Sequence, residues 1–383
     1  MAKVLLVDTN FSSGPIYREL VTLGHDVHVV GSNPRDYLAK VSPNYWELDY
    51  SDTDALGMLV AREGYAFLVP GCTDRSYLSC VAVSKGRFPG LDRDDVCDAV
   101  FNKASFRRLA EKLGLPAPER LDAGSLPTRW PVIVKPADAF SGKGITVLRE
   151  DDAHAFAQAI AMARAASPSD EYLVEWYVEG QLYSHSAFLR DGRVVRDFLV
   201  QEDSTVNPFV VDTSRVVADS PMHLLGPLRR CSEHLAAELG LADGLLHTQF
   251  IGTDEALWLI ETTRRCPGDL YSQLIELATG YPYCRSYLQP FLGIPIGESE
   301  IEARHVPIMR HTVTLSTAQS FAYLHFKMPL QVERWVPLAL TGDQLQPSPK
   351  GRIGVLFCKA DDALDLERIY VAALKRDLYE AHS

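Results

Sequence analysis

The first hundred residues alternate apolar strand patterns with helix patterns, and this alternation restricts the fold more than any other feature of the chain. Lys3–Val7 reads as a strand, residues 16–23 as a helix, 26–30 as a second strand, and 66–70 as a further strand followed by a helix of small residues. Strands separated by helical crossovers predict a parallel α/β sheet. A dinucleotide dehydrogenase would place Gly-x-Gly-x-x-Gly after its first strand. This chain instead has Asp8-Thr-Asn-Phe-Ser-Ser-Gly14-Pro15, which argues against NAD. The turn Gly71-Cys-Thr-Asp74-Arg75 falls at a strand C-terminus, where open α/β sheets place ligands. Capping of the next helix by Asp74 is the alternative use of that residue.

A chain of 383 residues exceeds one ordinary core, and we expect units at 1–100, 101–295 and 296–383. The last begins after a linker-like Gly293-Ile-Pro-Ile-Gly297. Hydrophobic and charged contents of 46% and 23% fit a soluble globular protein. A net charge of −12 argues against general nucleic-acid or anionic-membrane binding, because both partners are negative. The N-terminus enters a strand pattern directly and no apolar run has spanning length, so the expected location is cytoplasmic. Seven cysteines without a Cys-x-x-Cys pair predict reduced, mostly buried thiols.

The central third carries the chemistry. A strand runs Pro131-Val-Ile-Val-Lys135-Pro136 and leads into Ser141-Gly142-Lys143-Gly144. A strand-fixed ammonium followed by glycines that admit close backbone approach suits a polyanion such as phosphate. The common phosphate loop is absent, since Ala137 and Gly144 occupy two of its required positions. Upstream, Asn102 is a natural N-cap for a helix over Lys103–Leu113 closed by Gly114. Lys103 then sits where the helix dipole disfavours a cation, which is explained if it faces an anion; the alternative is a solvated lysine.

Downstream come a helix over 151–166, strands around 172–178, 184–189 and 194–200, and a helix over 228–239. A hairpin follows, 244–251 and 256–263, with its turn at Gly252-Thr-Asp-Glu255. Pairing symmetric about Glu255 places Gln249 opposite Glu261 and His247 opposite Thr263, so that all four converge; a slip of one residue would separate them. That face is poor packing material and plausible oxygen ligation for Mg²⁺ held with a nucleotide. Arg264 and Arg265 follow as cations for a phosphoryl group or oxyanion. A solvent-facing polar hairpin is the bland alternative. After Pro267-Gly268, Asp269 is placed to cap a helix running to Thr279.

Lys103 before Gly114-Leu-Pro-Ala-Pro118, Lys135-Pro136 with its glycine loop, Glu175-Trp-Tyr-Val178-Glu-Gly180, and Gln249 twelve residues before Glu261-Thr-Thr263-Arg-Arg265 occur in the order of the ATP-grasp superfamily. The chain resembles its carboxylate–amine ligase and biotin-carboxylase-like members over essentially its whole length. The resemblance implies an α/β and α+β architecture: an N-terminal parallel α/β domain, a two-part nucleotide-binding core and a small C-terminal α/β unit. It implies that Lys103 and Lys135 hold ATP phosphates and that Ser141, Gly142, Lys143 and Gly144 close over them. The segment Glu175, Trp176, Val178 would meet adenine, through the Glu175 carbonyl and the Val178 amide. Gln249, Glu261 and Thr263 fall at Mg²⁺ (or Mn²⁺) ligand positions, and Arg265, with Lys135, at catalytic ones. Gln249 stands where relatives carry an acid, and Thr263 where they carry asparagine. The implied reaction activates a small carboxylate as an acyl phosphate for attack by an amine, releasing ADP and phosphate. Its partners are those small molecules, without nucleic acid or membrane, and a homodimer is allowed. A bicarbonate-activating carboxylase and a nucleotide-binding module without turnover are the competing readings.

Overall fold

The computed structural model describes residues 1–122, 124–139, 142–218, 221–297 and 305–383. The expected parallel sheet is present: β1 (Lys3–Val7), β2 (Asp26–Gly31), β3 (Tyr45–Glu47) and β4 (Phe67–Pro70) pair in parallel in the order β3-β2-β1-β4. Residues 4–7 of the central strand β1 are fully buried because helices cover both faces of the sheet. At the C-terminal edge the Asp8 carboxylate accepts from Ser13 Oγ (2.7 Å) and from the Cys72 amide (3.1 Å). Gly71 allows that approach, since a Cβ there would lie 2.3 Å from Asp8 Cβ.

A three-stranded antiparallel sheet follows, β5 (Val132–Pro136) between β6 (Thr146–Leu148) and β7 (Tyr172–Trp176), backed by the helix Ala153–Ala166. The remaining large element is an eight-stranded antiparallel sheet. Its strands are β8 (Gln181–Arg190), β9 (Arg193–Asp203), β10 (Thr213–Val216), β11 (Gly244–Gly252), β12 (Leu257–Thr263), β13 (Ile308–Thr314), and the strands Gln331–Pro337 and Arg352–Lys359. They run in the order β12-β11-β8-β9-β10-β13, then Arg352–Lys359, then Gln331–Pro337. Strands after residue 305 therefore extend the same sheet as the central hairpins. The β8–β9 turn has Asp191 and Gly192 both at positive φ (53° and 73°), as a two-residue hairpin turn requires.

One core joins the N-terminal sheet to the large one. Val4, Leu6, Val29 and Val69 pack in the same cluster as Phe188, Phe198, Tyr283 and Phe357, through the helices Tyr271–Thr279 and Tyr283–Phe291. Two expected helix starts differ. The helix read from 228 begins at Met222 and runs through Pro227, because its apolar positions Leu224 and Leu225 are also buried. Asp269 caps nothing: Leu270 is the N-cap residue, while the Asp269 carboxylate accepts from Arg352 at 2.6 Å. All seven cysteines are free and buried. Among the described residues no helix is long and apolar enough to cross a membrane.

Candidate active site

Lys103 opens the helix Lys103–Leu113, whose N-cap Asn102 accepts from the amides of Ala104 and Ser105 through Oδ1. Its ammonium lies 2.9 Å from Glu261 Oε2 and 3.3 Å from the Ala139 carbonyl. The anion that offsets the helix dipole is thus, within the chain itself, Glu261. Lys103 lowers the Glu261 carboxyl to about 2. Burial is the largest single influence and opposes the lysine charge, yet Glu261, Asp74 and Asp138 together outweigh it and hold the Lys103 pKa above its ordinary value.

Lys135, at the end of β5, is buried and lies 2.6 Å from Glu175 Oε2. The other Glu175 oxygen accepts from Arg107 Nε at 2.5 Å. Burial lowers the Lys135 pKa more than Glu175 restores it. The sequence reading gave Glu175 a free carbonyl for adenine. In the structure its side chain anchors two cations and its backbone lies in the sheet opposite Ile133, with Tyr177 donating to Pro131 on the same side.

The hairpin meets the expected pairing, but by a different route. Near the turn Phe250 pairs with Leu259, one residue out of the symmetric register; the shift falls between Gln249 and Phe250, after which Gln249 pairs with Glu261 and His247 with Thr263. A bulge at Ile260 moves Glu261 onto the face of Gln249. Arg107 stabilises it: Nη1 donates to the Leu259 carbonyl (2.7 Å) and Nη2 to the Ile260 carbonyl (3.1 Å). One guanidinium thus links the Lys135–Glu175 pair to the register of the acidic strand.

A polar row crosses the large sheet. Glu261 is opposite Gln249, Gln249 opposite Ser184, and Ser184 opposite Val200, two residues from Glu202 on the same face of β9. Glu202 is opposite Ser214, and Ser214 opposite Arg310. Of this row Glu261, Gln249, Glu202, Ser214 and Arg310, together with Lys103, His247, Thr263, Arg265 and Asp74, line a cavity of ≈ 180 Å³. Gln249 Nε2 donates to Glu202 Oε2 at 2.6 Å. His247 hydrogen-bonds Ser186 Oγ through Nδ1 (2.9 Å), and burial followed by Arg265 lowers its pKa to about 3, so the imidazole is neutral.

The two arginines after the hairpin part company. Arg264 turns inward and pairs with buried Asp92 (2.8 Å), donating also to the Leu245 carbonyl. It is a structural cation and not a site residue. Arg265 faces the cavity, with Nε 2.8 Å from Asp74 Oδ1. Asp74 also accepts from Thr263 Oγ1 at 2.8 Å, while Thr73 performs the helix capping. The strand-end turn of the N-terminal sheet therefore orients Arg265 and Thr263.

Gly142 and Gly144 have φ of 68° and 69°, and Lys143 between them is exposed. A Cβ at Gly142 would lie 2.7 Å from Phe209 Cβ, which places this turn against the loop between β9 and β10. Ser141 lies outside the described residues. Sequence reasoning missed Arg107, Glu202 and Arg310. Arg310 is a lone formal charge inside an otherwise strand-forming run, a signal that was available, whereas Arg107 beside Arg108 and Glu202 beside Asp203 carried none. Arg310 is 2% exposed; Nη1 donates to the Asp269 carbonyl (2.9 Å) and Nη2 to Ser214 Oγ (3.3 Å), while Nε has no partner among the described residues.

Residues 128–273 match the family model of the ATP-grasp domain. The carbamoyl phosphate synthase large chain, C-terminal section, of Methanopyrus kandleri is 25% identical over 227 residues, 55% of this chain and 41% of that protein. The formate-dependent phosphoribosylglycinamide formyltransferase of Paraburkholderia xenovorans is 28% identical over 187 residues, 46% of each. This chain thus matches less than half the length of these curated relatives. An L-amino acid ligase from Bacillus licheniformis has the same fold, with a TM-score of 0.82 at 17% identity over 100% of this chain and 98% of its own.

Proposed function

From the premise that this chain is an ATP-grasp protein, we propose that it is an ATP-dependent ligase that activates a small carboxylate as an acyl phosphate and transfers the acyl group to an amine. The observation that carries this reading is the cavity itself. It joins cations suited to phosphate, Lys103 and Arg265, with the buried Arg310, whose Nε lacks an acceptor among the described residues. A buried guanidinium with an unused donor suits a carboxylate.

In the reaction, a carboxylate oxygen attacks the γ-phosphorus and ADP leaves. The amine nitrogen then attacks the acyl carbon, phosphate leaves, and the amine loses a proton. Phosphoryl transfer needs chiefly positioning and charge. Lys103 and Lys135 would hold phosphate oxygens, and Lys103 would do so by exchanging its internal partner Glu261 for the nucleotide. Arg310 would hold the carboxylate. Arg265, kept in place by Asp74, would meet charge developing on the transferred group. Glu261, the Gln249 amide oxygen and Thr263 Oγ1 offer hard oxygen donors that fit Mg²⁺, which would neutralise phosphate charge when bound with the nucleotide. Neutral His247 stands beside them without adding charge.

The test is release of ADP that requires both a carboxylate and an amine, screened across small acids and amines. With ¹⁸O in the carboxylate, label should appear in the released phosphate. AMP as product would mean adenylation and overturn the reading. ADP release with bicarbonate alone would favour a carboxylase-like enzyme, and nucleotide binding without turnover a regulatory module.

A further inference from the structure

Gln249 is an uncharged residue in the middle of a cation-binding constellation, and a buried acid stands directly behind it. Glu202 is 4% exposed, yet no Lys, Arg or His lies within ion-pair distance of its carboxylate among the described residues. Its carboxylate accepts instead from Gln249 Nε2, at 2.6 Å, and the Ser184 hydroxyl also favours its charged form. A carboxylate removed from water whose nearest cation, Arg310, acts on it only from beyond ion-pair distance is costly, so this position has a reason beyond packing. Geometry supplies it. Glu202, Gln249 and Glu261 lie on one face of the sheet and line one cavity, and an amide that gives its NH₂ group to Glu202 has its carbonyl oxygen turned away from it.

We infer that Glu202 supplies the negative charge that position 249 lacks and orients Gln249, so that Glu261 and the Gln249 carbonyl oxygen hold the nucleotide's divalent cation with Glu202 behind them. Among the described residues no group of three or more His, Cys, Asp or Glu side chains is arranged to hold a metal ion, so the proposed site depends on the Gln249 amide and on phosphate oxygens to complete it. Glu202 is thus a positioning residue, acting through Gln249. The inference rests on the nucleotide-binding reading above.

Mn²⁺ is the probe, measured by electron paramagnetic resonance on the full chain with ADP, alongside ADP binding in EDTA. Glu202→Gln should weaken Mn²⁺ binding about 10- to 100-fold, the range for loss of a residue that orients a ligand, with metal-free ADP binding and melting temperature retained. The exchange Glu202→Gln with Gln249→Glu keeps both the charge count and the hydrogen bond with its direction reversed, and should recover most of that loss. Gln249→Glu alone would set two carboxylates against each other and is not the informative variant. Unchanged Mn²⁺ affinity in Glu202→Gln, or an exchanged pair no better than the single variant, overturns the inference. So does a wild-type chain that binds ADP but no Mn²⁺, which leaves the nucleotide reading standing. A chain that binds no ADP overturns both.

Discussion

Arg264 and Arg265 are neighbours in sequence and opposites in setting, one locked to Asp92 in the interior and the other presented to the cavity by Asp74. Replacing Arg265 by lysine keeps the charge and loses the planar fork that pairs with phosphate oxygens. We expect Arg265→Lys to slow the chemical step roughly tenfold to a thousandfold, as for loss of one electrostatic donor, with ADP affinity nearly unchanged. Single-turnover quench experiments read this directly; an unaltered rate would remove Arg265 from the transition state. Lys135 calls for a double readout. It is buried against Glu175, whereas Lys143 is exposed on the turn. Lys135→Ala should lower nucleotide affinity more than Lys143→Ala does. It should also cost about 3–5 kcal/mol of stability, because a buried charge pair loses a partner. Urea titration separates the two losses, and equal behaviour of both folded variants would refute the assignment.

At the scale of elements, the site depends on how β11 and β12 are paired. The turn alone sets a register in which Glu261 would fall opposite Thr248, on the wrong face. The bulge corrects this, and Arg107 satisfies the two carbonyls, of Leu259 and Ile260, that lie at it. Lysine at 107 retains the charge but cannot reach both carbonyls and Glu175 at once. Arg107→Lys should therefore lose roughly 3 kcal/mol, from two hydrogen bonds to a charged group, and displace Glu261. Stability measured by denaturant and Mn²⁺ binding with ADP should fall together. A variant with wild-type values of both would show that the turn fixes the register unaided.

At the scale of the whole molecule, two buried histidines link stability to pH. Burial lowers His247 to about 3 and His311 to about 4. In the unfolded chain both protonate near the ordinary value of 6.5, so between these pH values the unfolded state binds more protons. Stability should fall as pH drops below 6.5, by roughly 1.4 kcal/mol per pH unit for each histidine. Glu261 has its folded pKa at about 2, so the stability from its pairing with Lys103 is fully present above 4.5 and is lost progressively as pH falls from there through about 2. Denaturant titrations from pH 7.5 to 5 test this: His247→Gln with His311→Gln should flatten the slope, and an unchanged slope would contradict it. The amino-acid sequence by itself determined the parallel N-terminal sheet, the helix at Lys103 with its Asn102 cap, the strand bearing Lys135 and the existence of the hairpin that carries Gln249 and Glu261. Periodicity, caps and turn residues act over a few neighbours, and those signals are written locally. Tertiary structure decided that Asp74 meets Arg265, that Arg107 holds the bulge, and that Glu202 and Arg310 join the same cavity. Those partners lie far apart along the chain, and strand order across an eight-stranded sheet is what brings them onto one face.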